Sequence, residues 1–324
     1  MDNFNCGRLF LTGISGKTLT ADESEFIKQN NLAGVILFSK NYESKSQLKE
    51  LVDSVQSLSP QRKIIAVDHE GGRVQRFKKD FIEIPSAKII AEKNSPTFCF
   101  ETYEKVAEEL TDVGVNLNLA PCSDILTNPD CDVIGDRSFG EEPKNVSRFV
   151  RAAIRGLQTK GVMACSKHFP GHGDTIIDSH DELPRSERSL ELFEEEDLTV
   201  FKTAIKNKVS FVMMAHLLVP EFDPELPVSL SEKAHEYLLK KLKFNGVVIS
   251  DDMEMGAITK NFDPLSAATH ALKAGTHLLE YRTFEACSQV VAKMNEKCLV
   301  DPGMRAIVEE RMIDFKIRLN KFFL

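Results

Sequence analysis

The densest concentration of chemically versatile side chains lies in Lys167–His180, KHFPGHGDTIIDSH, where three histidines and two aspartates fall within fourteen residues. Two chemistries use such a set. One is metal ligation, since imidazole and carboxylate are common ligands; the spacing matches no zinc pattern, and Lys167 would set a cation beside the ion. The other is proton transfer. An imidazole titrates near pH 6.5 (about), so it can donate and then accept a proton close to neutrality. Asp178, two residues before His180, is placed to orient that ring and stabilise its charged form. His172, between Gly171 and Gly173, reads as a loop-folding residue, and the two glycines read as hinges that let the loop close over a ligand.

A second set follows Val247-Val248-Ile249-Ser250, where Asp251 and Asp252 leave the end of an apolar run. Successive strand residues face opposite ways, so only one of the two carboxylates can enter a pocket. A carboxylate held there beside Lys167 and arginines stays ionised, as a nucleophile must. Asp252 reads as the N-cap of a helix over Met253–Ile258. Asp68, with Arg73 and Arg76 close behind it, has the makings of a polyol clamp: carboxylates accept hydroxyl hydrogen bonds and guanidinium groups donate forked ones. Arg137, in IGDRSFG, is a further donor, although an arginine taken singly is more often a surface ion pair.

These residues need elements that bring them together. Eight short apolar runs recur along the chain: Arg8–Leu11, Gly34–Phe38, Lys63–Val67, Val115–Leu119, Val162–Ser166, Phe211–Met214, Val247–Ile249 and His277–Glu280. They lack strict alternation, the mark of strands covered on both faces. Between them run amphipathic helical patterns, clearest over Asn145–Lys160 and from Tyr103 to Val113. Thr20-x-x-Glu23 and Ser229-x-x-Glu232 read as capping boxes. The alternation demands parallel strands with crossover helices, and eight units in 324 residues predict a single-domain (β/α)8 TIM-type barrel of the α/β class, with an open doubly wound sheet as the competitor. No linker or repeat divides the chain, so residues 1–324 are expected to form one catalytic domain, with a final helix over Met304–Phe323 outside the barrel. The third run ends at Asp68, the fifth at Lys167-His168, the sixth at His216 and the seventh at Asp251. In a parallel barrel those ends share one face, the face where barrel enzymes work.

Composition narrows the function classes. With 42% hydrophobic and 28% charged residues the chain is globular in type, and its formal charge of −8 argues against nucleic acid as a partner. The opening MDNFNCGRLFLTG, with its acid at Asp2, is not read as a signal peptide, and no run approaches the roughly 18 apolar residues of a membrane span. Seven scattered cysteines without a C-x-x-C pair fit a reduced cytoplasmic compartment, most of them serving as small hydrophobes.

KHFPGHGDTIIDSH resembles the signature of glycoside hydrolase family 3 β-N-acetylglucosaminidases of bacterial cell-wall recycling. VDHEGGRVQRF at Val67–Phe77, IGDRSFG at Ile134–Gly140 and ISDDMEMGA at Ile249–Ala257 agree with it in order and spacing. The resemblance implies hydrolysis with retention through a covalent glycosyl-enzyme. It implies Asp251 as nucleophile, His180 as acid/base supported by Asp178, and Asp68, Arg76, Arg137, Lys167 and His168 as holders of N-acetylglucosamine. The implied substrate is a muropeptide of the N-acetylglucosaminyl-1,6-anhydromuramyl type, a small-molecule carbohydrate, with no metal, no cofactor, no membrane insertion and no obligate protein partner. The alternatives are a related β-glycosidase or phosphorylase, a barrel that binds muropeptides without turnover, and a metal-dependent barrel hydrolase. The sequence departs from the family at Thr276-His277, which leads to the expectation of an altered pocket floor near strand eight, and at His69. It has no tryptophan, so sugar stacking must fall to Phe or Tyr or give way to polar contacts.

Overall fold

The computed structural model describes residues 4–322. Eight parallel strands close into a barrel: β1 (Phe10–Gly13), β2 (Gly34–Leu37), β3 (Ile64–Val67), β4 (Leu117–Asn118), β5 (Met163–Phe169), β6 (Phe211–Met214), β7 (Val247–Asp252) and β8 (Leu278–Tyr281). Each strand pairs with its sequence neighbours, and β1 pairs with β8, which excludes the open sheet. Every strand residue from β1 to β6 is buried, as an apolar run without alternation requires when helices cover one face and the barrel interior the other. All eight expected runs form strands. The chain is therefore an α/β protein of the (β/α)8 type.

Two strands run further than their apolar patterns. β5 continues through Lys167 and His168 to Phe169, and β7 continues through Asp251 and Asp252. Polar residues can stay in buried strands here because their charges are met locally. At the short β4 the ladder is completed by side-chain amides: Asn118 accepts from His69 N and donates to His69 O, both at 3.0 Å, and Asn116 does the same for Ile65 N and Lys63 O.

Helix ends follow local capping chemistry where the expected signals are clean. Thr20 and Glu23 form the capping box of the helix Ala21–Gln29. The second expected box fails. Ser231 caps the helix Glu232–Glu236, while the Ser229 hydroxyl lies 2.7 Å from His216 Nδ1 and is committed to it. Asp252 likewise caps nothing: the helix after β7 is Gly256–Thr259, with Met255 before it, and Asp252 Oδ1 accepts from Glu254 N. The last helix is Pro302–Leu319, capped by Asp301, and packs on the helices Phe284–Val300 and Pro264–Ala274. Phe323, the far end of the expected helix, lies outside the described residues, as does Asp2. All seven cysteines are buried and free. No helix among the described residues is long and apolar enough to cross a membrane.

Candidate active site

The C-terminal ends of β3, β5 and β7 and the loops beyond them line one cavity of about 260 Å³. That is near the lower end of small-ligand pockets, about 300–1,000 Å³, and suits one sugar ring better than a chain of them. Asp68, Arg76, Arg137, Lys167, His168, Asp178, His180 and Asp251 all line it, so every residue singled out for chemistry converges there. No Phe, Tyr or Trp is among the lining residues; ligand recognition is polar, with Val74, Val133 and Met255 as the apolar surface.

Asp68 follows β3 directly. Its Oδ1 receives Lys167 Nζ at 2.6 Å and its Oδ2 receives Arg76 Nη2 at 3.1 Å. Arg76 reaches back over eight residues because a two-stranded hairpin, His69–Gly71 with Val74–Gln75, folds the chain on itself. Gly71 and Gly72 turn that hairpin with φ of +116° and +56°, a region closed to most L-residues. Burial alone would raise the Asp68 carboxyl, but Lys167 and Arg76 outweigh it and hold it below the ordinary range.

Arg73, grouped with the clamp in the sequence, also lines the cavity, but its donors are committed within the protein. It bonds Asp136 at 3.0 Å and the carbonyls of Asp132, Val133 and Ile134, pinning the long loop after β4. Glu70 carries what the sequence reading did not assign. It takes Arg137 bidentately at 2.8 and 2.9 Å and Lys167 at 2.7 Å. Arg137 spends a third N–H on Val133 O, so most of its donors are committed within the protein. Lys167, 3% exposed, is shared between Asp68 and Glu70.

Asp124 is the second unassigned residue, and it lies entirely buried beneath the histidine segment. It accepts from the backbone N–H groups of His168 and His172 and lies 2.8 Å from His168 Nδ1. Burial opposes its charge, yet His168 and those N–H groups hold it well below the usual carboxylate range. Cys122 Sγ, 3.2 Å away, completes a group whose atoms are close enough to share an ion with Asp124 and His168. The thiol is pushed far up by burial and by Asp124, and the carboxylate oxygens are already engaged by donors, so this set reads as a closed hydrogen-bonded unit. Its only sequence signal was a polar Ser123-Asp124 pair after an apolar run.

The loop beyond β5 carries Asp178 and His180. Asp178 Oδ1 lies 2.7 Å from His180 Nδ1 and accepts His180 N at 2.9 Å. The pair is open to water, 41% and 59% exposed. Burial of Asp178 is more than offset by the His180 backbone and ring, which keep the carboxyl low. The loop is docked at its far end, where Gly256 N donates to His180 O and Ala257 N to Ser179 O. Gly256 permits this contact, since a Cβ there would sit 2.6 Å from His180 O. Gly171 and Gly173, expected as hinges, are instead close-packed: added Cβ atoms would overlap the Asp197 carboxylate and Ile125 O. His172 does fold the loop, its Nδ1 lying 2.8 Å from Thr175 Oγ1.

Asp251 and Asp252 differ as alternation requires. Asp251 faces the cavity, where burial would raise it but His168, His216 and Lys167 lower it below the usual carboxylate range. Asp252 turns towards Arg282 at 3.3 Å and is pushed up to about 7, chiefly by burial. One carboxylate is thus kept ionised in the cavity. His216 fixes this strand end, its Nε2 lying 3.0 Å from Asp252 O.

The expected departure at Thr276-His277 does not reach the pocket floor. His277 precedes β8, at the opposite end of the barrel, where its Nδ1 accepts Val248 N at 3.0 Å and its Nε2 meets Asp314 at 2.9 Å. It ties the last helix to β7. His69 is buried against Phe77 and Phe81, and burial takes its imidazole down to about 3.

Residues 8–304 match the glycosyl hydrolase family 3 N-terminal domain. A β-hexosaminidase of Idiomarina loihiensis is 37% identical over 272 residues, covering 82% of this chain and 81% of that one. Another, from Tolumonas auensis, is 39% identical over 271 residues, covering 82% and 80%. Among solved structures, a family 3 β-N-acetylglucosaminidase from Paenibacillus superposes with a TM-score of 0.90 at 31% identity, over 98% of this chain and 62% of that longer one. Neisseria gonorrhoeae NagZ in complex with N-trifluoroacetyl-D-glucosamine superposes at 0.82 with 28% identity, over 94% and 97%. The chain belongs to glycosyl hydrolase family 3 and is a glycoside hydrolase.

Proposed function

We propose that this enzyme is a retaining β-N-acetylglucosaminidase that releases terminal N-acetylglucosamine from muropeptides of the N-acetylglucosaminyl-1,6-anhydromuramyl type. The observation that carries the reading is the meeting of a half-buried Asp251, held below the usual carboxylate range, with the Asp178–His180 pair around one sugar-sized cavity. The names of the relatives supply the N-acetylhexosamine.

In the first half-reaction Asp251 attacks C1 while the imidazolium of His180 gives its Nε2 proton to the departing oxygen. The C1–oxygen bond breaks, a glycosyl ester forms on Asp251, and His180 is left neutral. In the second, neutral His180 takes a proton from water, whose oxygen attacks C1 and frees Asp251. Asp178, held against Nδ1, leaves Nε2 free to face the substrate. Most retaining glycosidases use two carboxyl groups; an imidazole in the second role starts cationic and ends neutral, so no second anion faces the nucleophile. Asp68 and Arg76 accept from and donate to ring hydroxyls, and Lys167, His168 and Arg137 complete the sugar subsite.

Trapping with a slow fluorinated N-acetylglucosamine donor tests this, read by mass spectrometry of the digested enzyme. The expected product is a covalent sugar on the peptide containing Asp251. Turnover with the sugar on another peptide, or with no covalent adduct, would overturn the assignment.

A further inference from the structure

The acids around the cavity each have a basic group beside them, with one left over. Asp68 and Glu70 share Lys167, Arg76 and Arg137, Asp252 is paired with Arg282, Asp124 and Asp178 each meet an imidazole, and Asp251 has His168, His216 and Lys167 around it. The remaining acid is Glu280 on β8, which the mechanism above does not use. Its neighbour Tyr281 stacks on Phe10 and faces Cys287 in the outer helix layer, so the Glu280 side chain takes the other face and enters the barrel. There it is 4% exposed, and its Oε2 has no hydrogen-bond partner among the described residues.

The groups facing it are few. β7 contributes Asp251 and Asp252, β3 leads to Asp68, and β5 contributes Lys167 and the Cys165 thiol; β1 offers no titratable side chain. Lys167 is the sole cation of this set, and it is already shared by Asp68 and Glu70. An ionised Glu280 would be a further buried anion beside Asp68 and Asp251, and like charges in such proximity do not all ionise. Burial, then Asp68, Asp252 and Asp251, act in the same direction and hold its proton on far above the usual carboxylate range.

We propose that Glu280 is a further positioning residue of the hydrolytic site, a neutral carboxylic acid on the barrel floor that leaves Asp251 and Asp68 as the ionised pair facing the sugar. This rests on the reading of Asp251 as nucleophile and Asp68 as sugar clamp. Loss of the Glu280 proton would place a negative charge under both. Lys167 would then be divided among three acids and a further anion would lie under the sugar clamp, so substrate binding weakens as that proton is lost. A glutamine in its place has nearly the same shape and cannot ionise.

Infrared spectroscopy of enzyme carrying ¹³C in its glutamate carboxyls, compared with Glu280→Gln, reads the proton directly. The expected result at pH 7 is a protonated-carboxyl C=O band that shifts with the label and is missing from the variant. Hydrolysis of 4-nitrophenyl N-acetylglucosaminide across pH gives the functional half: above the pH at which the band is lost the wild-type KM should rise by about threefold or more, and Glu280→Gln should remove that rise. Absence of the band in the wild type, or superimposable pH profiles, would overturn the proposal. Should Glu280→Gln fail to fold, Glu280→Met supplies the second non-ionising variant and the wild-type band still decides. A wild-type enzyme that shows the band yet hydrolyses no N-acetylglucosaminide refutes the proposed function, and the positioning role falls with it, while the protonation itself stands.

Discussion

Asp124→Asn removes one charge from a site where every interaction can be named. The carboxylate accepts His168 N at both oxygens, His172 N at 2.8 Å, and lies 2.8 Å from His168 Nδ1. Asparagine keeps one acceptor oxygen and turns an NH2 towards at least one of these N–H groups. A buried donor then loses its partner and a charge-assisted contact is lost, which together cost about 3–5 kcal/mol. At roughly 2.1 cal/mol/K per residue over 324 residues, the unfolding entropy is about 0.7 kcal/mol/K, so Tm should fall by about 4–7 °C. Activity should fall as well, by roughly ten- to a hundredfold in kcat/KM, because His168 and the start of the histidine loop lose their anchor. The pH dependence has a fixed sign. Asp124 is more acidic folded than unfolded, so its stabilisation is present above the unfolded value near about 4 and is lost as pH falls towards the folded one. Calorimetry of the two proteins should therefore show a Tm gap that is full at neutral pH and narrows in acid below roughly pH 4. A variant within about 1 °C of the wild type at pH 7, or a gap that widens in acid, would refute the reasoning.

Asp251→Asn is expected to lower kcat by more than about a thousandfold with the fold intact by circular dichroism, and near-wild-type turnover would remove Asp251 from the nucleophile's role. Gly256→Ala forces a Cβ to within 2.6 Å of His180 O and should push the acid/base loop off its seat, costing on the order of a hundredfold in kcat with little change in Tm; steady-state kinetics beside calorimetry separates the two. His277→Leu orphans Val248 N and breaks the contact to Asp314, so it should cost about 1–3 kcal/mol in urea unfolding while leaving the preference among glycosides as it was. A changed sugar preference in that variant would restore strand eight's start to the pocket.

The barrel was legible because buried parallel strands have a recognisable pattern: eight doubly covered apolar runs, each separated from the next by enough chain for a crossover helix. Their ends were harder to read. Lys167 and Asp251 look like loop residues by polarity, and only the ion pairs with Asp68 and Glu70, and the imidazoles around Asp251, explain why the strands run on through them. Motif reading found side chains that line the cavity and passed over those that hold them. Asp124 and Glu70 sit far in sequence from their partners, and a pairing across 44 or 67 residues leaves no periodicity to detect. The glycines misled for a related reason. A G-x-G signals freedom when read alone, whereas Gly171 and Gly173 are small because Asp197 and Ile125 need the space.

The proposed division of labour between a half-buried nucleophile and an exposed acid/base pair has its own electrostatic logic. Asp251 must be ionised in a cavity where burial disfavours charge, and it stays so because His168, His216 and Lys167 are fixed around it. A second carboxylic acid in the same shell would face the burial and like charges that push Glu280 up and tend to keep its proton, which suits protonating a leaving group but not the later abstraction of a proton from water. An imidazole can do both, donating a proton as a cation and accepting one as a neutral ring, and Asp178 holds that of His180 in a water-exposed loop. The loop position then follows from the chemistry. A ring that must change charge twice per turnover is better placed where solvent screens the change than among packed acids, and the Gly256 and Ala257 contacts supply fixed points that solvent exposure would otherwise deny it.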